Sequence, residues 1–275
     1  MIGTRSTLIL GAFLALGSLT PADAADLGGA RGGSLKDDAM PALMQQSAAR
    51  FYVRADGSWA NYDHPSITED GKFDLVNGRI GSSWSAGGGV GYYFNKNIRA
   101  DLTYEHRFNA SVTSDNLDPV VGGPRNFGIK SDLYLANLYY DFDSRGRFTP
   151  YVGAGLGWVN HKTSSSSFTD NCGCQGTIDA GSSSSVAGAL MAGLAVNLTG
   201  RGPAAGSGVI EGGEAARNLY LDLGYRFLYL GDVVTGAVKG APAGPLLPAT
   251  VVSADPTVAG LTAHEFRVGL RYDFR

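Results

Sequence analysis

The sequence predicts an all-β fold, an eight-stranded antiparallel up-and-down transmembrane β-barrel. Three observations carry that reading. Eight segments of about ten residues alternate apolar and polar side chains with a period of two, the mark of strands with one apolar face. The connections between them alternate long and short, as in barrels whose two ends meet different compartments. Beyond the N-terminal segment, no apolar run approaches the ~18 residues of a spanning helix, which excludes a helical multi-pass protein.

The chain begins with an address. Arg5, the apolar run Leu8 to Leu16, the breaker Pro21 and the A-x-A triplet ending at Ala24 follow one another as in a secretory signal peptide. Residues 1–24 are therefore expected to be removed by cleavage between Ala24 and Ala25. Residues 25–50, rich in Gly, Ala and small polar side chains, are expected to form a flexible leader.

The barrel is expected over residues 51–275. Its first segment, Phe51–Asn61, places Phe51, Val53 and Trp59 on one face and Arg54, Asp56 and Ser58 on the other. Ser83–Phe94 repeats the pattern with Trp84, Val90, Tyr92 and Phe94. Ile98–Phe108 is the clearest: Ile98, Leu102, Tyr104 and Phe108 oppose Arg99, Asp101, Glu105 and Arg107. Ser131–Phe142 is apolar on both faces, with Tyr134, Ala136, Leu138, Tyr140 and Phe142 read as outward. Phe148–Trp158 sets Val152, Leu156 and Trp158 against Tyr151, Gly153, Gly155 and Gly157. Val186–Leu198, Leu219–Tyr229 and His264–Phe274 complete the set. The connection 199–217 is long and Gly-rich where this pattern calls for a short turn.

If lipid surrounds the wall, the charged faces point inward. Aromatics cluster at segment ends, where the girdles of a membrane barrel belong. The predicted interior then holds Arg54, Arg99, Arg107, Arg226, Arg267 and Arg271, with Asp56, Asp101, Glu105, Asp222, Glu265 and Asp273, and no Lys. Arg suits a confined ionic network because its planar guanidinium pairs bidentately with carboxylates. Inward Gly and Ala on the second, fifth and sixth segments leave room for those long side chains. Eight strands enclose a space that side chains nearly fill, so the expected lumen is plugged by this Arg–carboxylate network.

Other motifs carry less. The net charge of −3 argues against a nucleic-acid partner. The strings Gly87–Gly91 and Gly153–Gly157 alternate like strands and do not open helices, so no nucleotide cofactor is expected. No metal or catalytic residue is assigned. His106 and His264 fall on the outward parity near segment ends, whereas His64 and His161 open the first and third long loops. Cys172 and Cys174 stand one residue apart in the third long loop. They could form a small local disulfide, remain as thiols, or hold a metal with a His such as His161.

The strings Leu135–Phe142 (LANLYYDF) and Phe148–Trp158 (FTPYVGAGLGW), with Asp222–Phe227 and the closing Glu265–Phe274, resemble the small outer-membrane β-barrel family of opacity-type and alphaproteobacterial porin-family surface proteins. The resemblance covers residues 50–275. It implies residence in the outer membrane of a Gram-negative bacterium, insertion by the barrel-assembly machinery after passage with periplasmic chaperones, and exposed variable loops. No catalytic residues are shared across that family. The expected role is structural, with surface contacts through the long loops to a host or surface ligand the sequence does not identify. A narrow diffusion pore or a receptor for a small ligand such as haem is the alternative.

Overall fold

A computed structural model describes residues 50–69, 73–117, 122–142, 146–171, 173–199, 218–240, 251–252 and 257–274. Eight long strands form the wall: β1 (Arg50–Tyr62), β2 (Ser83–Tyr93), β3 (Ile98–Asn116), β4 (Gly123–Asp141), β5 (Phe148–Thr163), β6 (Gly181–Asn197), β7 (Asn218–Val234) and β8 (Thr257–Asp273). Each pairs antiparallel with its sequence neighbours, and β1 closes the ring on β8 with Tyr52 opposite Asp273 and Tyr62 opposite Ala263. Closure leaves no strand edge facing hydrocarbon, which a sheet in lipid requires. Among the described residues no helix is long and apolar enough to cross a membrane.

The side-chain parity is inverted relative to a water-soluble barrel. Leu156 (72% exposed), Trp84, Leu102 and Phe266 project outward, while Arg99 and Glu265 are fully buried. Aromatic residues mark two levels on the outer wall. At one end Phe51, Tyr92 and Phe94 pack together, as do Tyr140 with Phe142 and Tyr272 with Phe274. At the other, Tyr104, Tyr134 and Trp158 form a continuous row. Along β4 the two levels are separated by about 26 Å of strand, roughly 20 Å of height at the ~40° tilt of such barrels.

Most strands run past the boundaries the alternation predicts. β3 extends beyond Phe108 to Asn116, β4 begins at Gly123 and not Ser131, and β5 runs to Thr163. β6 begins at Gly181, β7 reaches Val234, and β8 begins at Thr257. On β3, β7 and β8 the reason is a change of phase. On β3 the register slips between Arg107 and Ala110, so that Phe108 and Asn109 both face out and Ala110, Val112 and Ser114 turn in. On β7 and β8 the register shifts around Gly231, opposite Leu261, and Gly231 and Gly260 take φ of +68° and +64° that side chains with a Cβ rarely adopt. A period-two reading stops at such bulges because every later side chain changes face.

Part of the first long loop is also wall. Strands Ser66–Glu69 and Phe73–Ile80 form a hairpin whose outer edges pair with β8 and β3 respectively. It continues the ring above the shorter β1 and β2. Short strands Ser166–Thr169, Gln175–Ile178, Val238–Lys239 and Val251–Val252 form a separate four-stranded sheet. Inside this upper tier the filling is mainly apolar: Ile67, Val112, Phe127, Leu230, Val233 and Val258 are all buried in one cluster, with the buried ion pair Arg125–Asp170 packed on Phe168. The predicted signal peptide with its Ala24–Ala25 junction, the leader and most of the 199–217 connection lie outside the described residues.

Candidate functional site

The lumen at membrane depth is the chemically distinctive place in the molecule. All twelve charged residues predicted from parity point into it. Arg54, Asp101, Glu105, Arg226, Arg267 and the rest are less than a tenth exposed, Asp56 alone being slightly more open. The strands hold them in three groups stacked along the barrel axis.

Nearest the outer tier, Arg226 from β7 donates from Nη2 to both oxygens of Glu105 on β3, at 2.8 and 2.7 Å, and from Nε to Glu265 on β8. Arg107 reaches the same two acids, 3.1 Å to Glu105 and a short contact to Glu265, and its Nη2 donates to the Tyr62 hydroxyl at 2.9 Å. Two cations and two anions thus balance locally while tying β3 to β7 and β8 across the lumen.

In the middle, Arg54 forms a bidentate pair with Asp56 at 2.8 and 2.7 Å. Its Nη1 donates to Asp101 at 3.0 Å and to the Tyr139 hydroxyl on β4 at 3.1 Å. Asp101 also accepts from Tyr52 and from the Asn137 amide at 2.7 Å. Arg267 lies 3.4 Å from Asp56. At the far end, Arg99 pairs with Asp141 and its guanidinium stacks 4.0 Å from the Tyr139 ring centre. Arg271 lies 3.5 Å from both Asp222 and Asp273 and 4.7 Å over Tyr220.

Four features were not read from the sequence. Asp141 joins the acids, seven against six Arg once it is added to the predicted six. It shares the inward parity of β4, whose two apolar faces hid it. Tyrosines 52, 139, 151 and 220 supply hydroxyls and ring faces for the guanidiniums. The predicted small-residue wall is present, but rings from adjacent strands cover much of it: Tyr52 lies over Gly91, Tyr139 over Gly153, and Tyr151 over Gly193, with its hydroxyl reaching Gly224 on β7. A Cβ at any of these positions would collide with the tyrosine.

His161 does not open a loop; it sits within β5, 1% exposed. Its Nε2 faces the Leu230 carbonyl at 3.0 Å, which makes that nitrogen the donor and leaves Nδ1 to accept from Ser131 Oγ at 2.7 Å. This Ser–His pair lies beneath the apolar filling of the outer tier. His106 and His264 do face outward, bonded to Asp132 at 2.8 Å and to Tyr225 at 2.5 Å, and His64 lies in an exposed loop. Cys174 is disulfide-bonded, and Cys172 lies outside the described residues. Among the described residues no cluster of His, Cys, Asp and Glu could hold a metal ion.

A closed antiparallel ring with an apolar exterior, two aromatic belts and an ionic interior defines an integral membrane β-barrel protein. Residues 38–274 match the family model described as outer membrane protein beta-barrel domain, and the chain belongs to that family. It is an outer-membrane protein of a Gram-negative bacterium. An uncharacterized protein of Brucella suis biovar 1 (strain 1330) is 29% identical over 301 residues, covering 94% of each chain. Outer membrane protein PagN of Salmonella typhimurium is 25% identical over 217 residues, 73% of this chain and 80% of its own. Among solved structures, outer membrane protein OprG from Pseudomonas aeruginosa aligns with 83% of this chain and 97% of its own at 14% identity and a TM-score of 0.46.

Proposed function

We propose that this protein is a non-enzymatic barrel whose lumen is closed by the Arg–carboxylate network, and that its role is structural and contact-making at the cell surface. The observation that supports closure is the span of Arg226 and Arg107 between Glu105 and Glu265, which crosses the lumen at one level. Unpairing such groups would leave charges buried without partners, at several kcal/mol each, so the network resists opening. The apolar filling above it is a second barrier to ions. The polar outer tier, carried beyond the membrane on extended strands, is the surface offered for contact, and insertion is expected to use the barrel-assembly machinery and periplasmic chaperones.

Planar-bilayer recording on purified folded protein tests the closure. The expected result is a silent membrane, with conductance appearing only when Arg226→Ala and Glu105→Ala are combined with Leu230→Ala, which opens the apolar filling as well. Stable nanosiemens openings from the unaltered protein, or small-solute uptake in liposome swelling, would establish the pore or receptor alternative instead.

A further inference from the structure

Across β3, β4 and β5 the strand register sets the outward side chains in rows perpendicular to the strands. One row is Tyr104, Tyr134 and Trp158; the next toward the outer end is His106, Asp132 and Asn160; beyond it Lys130 stands directly opposite Lys162. On β4 and β5 the wall passes from aromatic to polar within one rung, while on β3 the exposed Phe108 lies past His106; the polar side chains of β4 and β5 set the headgroup level of the outer leaflet there. Below the aromatic row, Gly88 and Ala136 leave an apolar recess of about 410 Å³ flanked by Leu102, Leu156 and Trp158.

The two lysines are the anomaly. Like charges directly opposite on one sheet face repel. The local carboxylate relieves only one of them, and loosely: Asp132 is engaged through Oδ1 by Tyr104 at 2.9 Å and His106 at 2.8 Å, and its Oδ2 forms a 3.7 Å ion pair with Lys162. The Lys162 side chain remains 71% exposed, and Lys130, also exposed, makes no ion pair among the described residues. An anion between the two ammonium groups would turn the repulsion into attraction.

We propose that this face binds a phosphorylated, multiply acylated glycolipid of the outer leaflet, with a phosphate between Lys130 and Lys162 and one acyl chain in the recess over Ala136. Charge complementarity selects the head, and the apolar recess at Ala136, three outward rungs below Lys130, selects a lipid over a free phosphate. The inference goes beyond the closed-barrel reading and does not depend on it.

The test is native mass spectrometry of the folded full-length protein in zwitterionic detergent. It is titrated with diphosphorylated lipid A, with the same lipid after phosphate removal, and with phosphatidylglycerol. The diphosphorylated lipid should bind about tenfold more tightly than either of the others, a factor worth about 1.4 kcal/mol. Lys130→Gln combined with Lys162→Gln should remove that preference, Ala136→Trp should weaken every acylated ligand, and Lys239→Gln should change nothing. Heat-modifiable electrophoretic migration checks that each variant is folded. Equal binding of phosphorylated and dephosphorylated lipid by the unaltered protein would overturn the proposal without any variant. Equal binding of phosphatidylglycerol would overturn the glycolipid assignment, and unchanged binding in the double Lys variant would overturn the site.

Discussion

The barrel follows opposite rules at its two heights. At membrane depth Leu102, Leu138, Leu156 and Leu190 face outward while Arg99, Arg107 and Arg271 are buried within. In the outer tier Val112, Val233 and Val258 are fully buried inside, and Thr113, Asn126 and Lys130 face out. The same strands β3, β4, β7 and β8 run through both tiers. Side-chain parity therefore reports the solvent at each level, not a fixed inside and outside. On β3, β7 and β8 a bulge between the tiers also shifts which residues face inward, whereas β4, β5 and β6 keep one parity and change only the residue type they send inside. The lower tier is an ionic core in lipid; the upper tier is a mainly apolar core in water that also buries the Arg125–Asp170 pair.

Four substitutions sharpen or break this comparison. The largest effect is expected at Glu265, which is fully buried between Arg107 and Arg226. Glu265→Ala should destabilise the folded barrel by about 3–5 kcal/mol, because it leaves two buried guanidiniums short of a counter-charge. Urea unfolding of the bilayer-reconstituted protein measures it, and a loss under about 1 kcal/mol would mean the network is solvated and not a core. In the upper tier Leu230→Ala should cost about 3 kcal/mol by opening a cavity in the apolar filling. Hydrogen exchange should show that loss concentrated in the outer halves of β3, β7 and β8, with the membrane-depth amides still protected.

The two remaining changes place the same cation on the outer face at two heights. Leu190→Arg, at membrane depth and 62% exposed, should cost about 2–4 kcal/mol in a bilayer. In the outer tier Asn126→Arg should stay within about 0.5 kcal/mol, as a water-facing substitution does. If the two costs measured by unfolding were equal, the boundary drawn at the row of Tyr104, Tyr134 and Trp158 would be misplaced.

Much of the lower tier was legible from the sequence. Arg99 and Glu105 alternate with Leu102 and Tyr104 without interruption, so their inward direction followed from period two alone once lipid was taken as the outer solvent. Asp141 was not read because β4 carries apolar residues on both faces: Leu133, Leu135 and Tyr139 inward, Leu138 and Tyr140 outward. His161 was read as a loop residue because β5 continues beyond the outer aromatic row, where an apolar interior replaces the ionic one. The hairpin Ser66–Ile80 was likewise invisible, since its two strands are short and joined to the ring only through β8 and β3.

The sequence by itself determined the class of fold, the eight crossings and the direction of nearly every membrane-depth side chain. It could do so because a two-residue period in a uniform solvent is a local property of the chain. Only the tertiary structure decided which Arg meets which acid, since Arg226 and Glu105 are 121 residues apart and become partners solely through ring closure. It also decided that β3, β7 and β8 continue past the membrane, because a bulge changes side-chain direction by one residue and its effect is visible only once the partner strand sets the register.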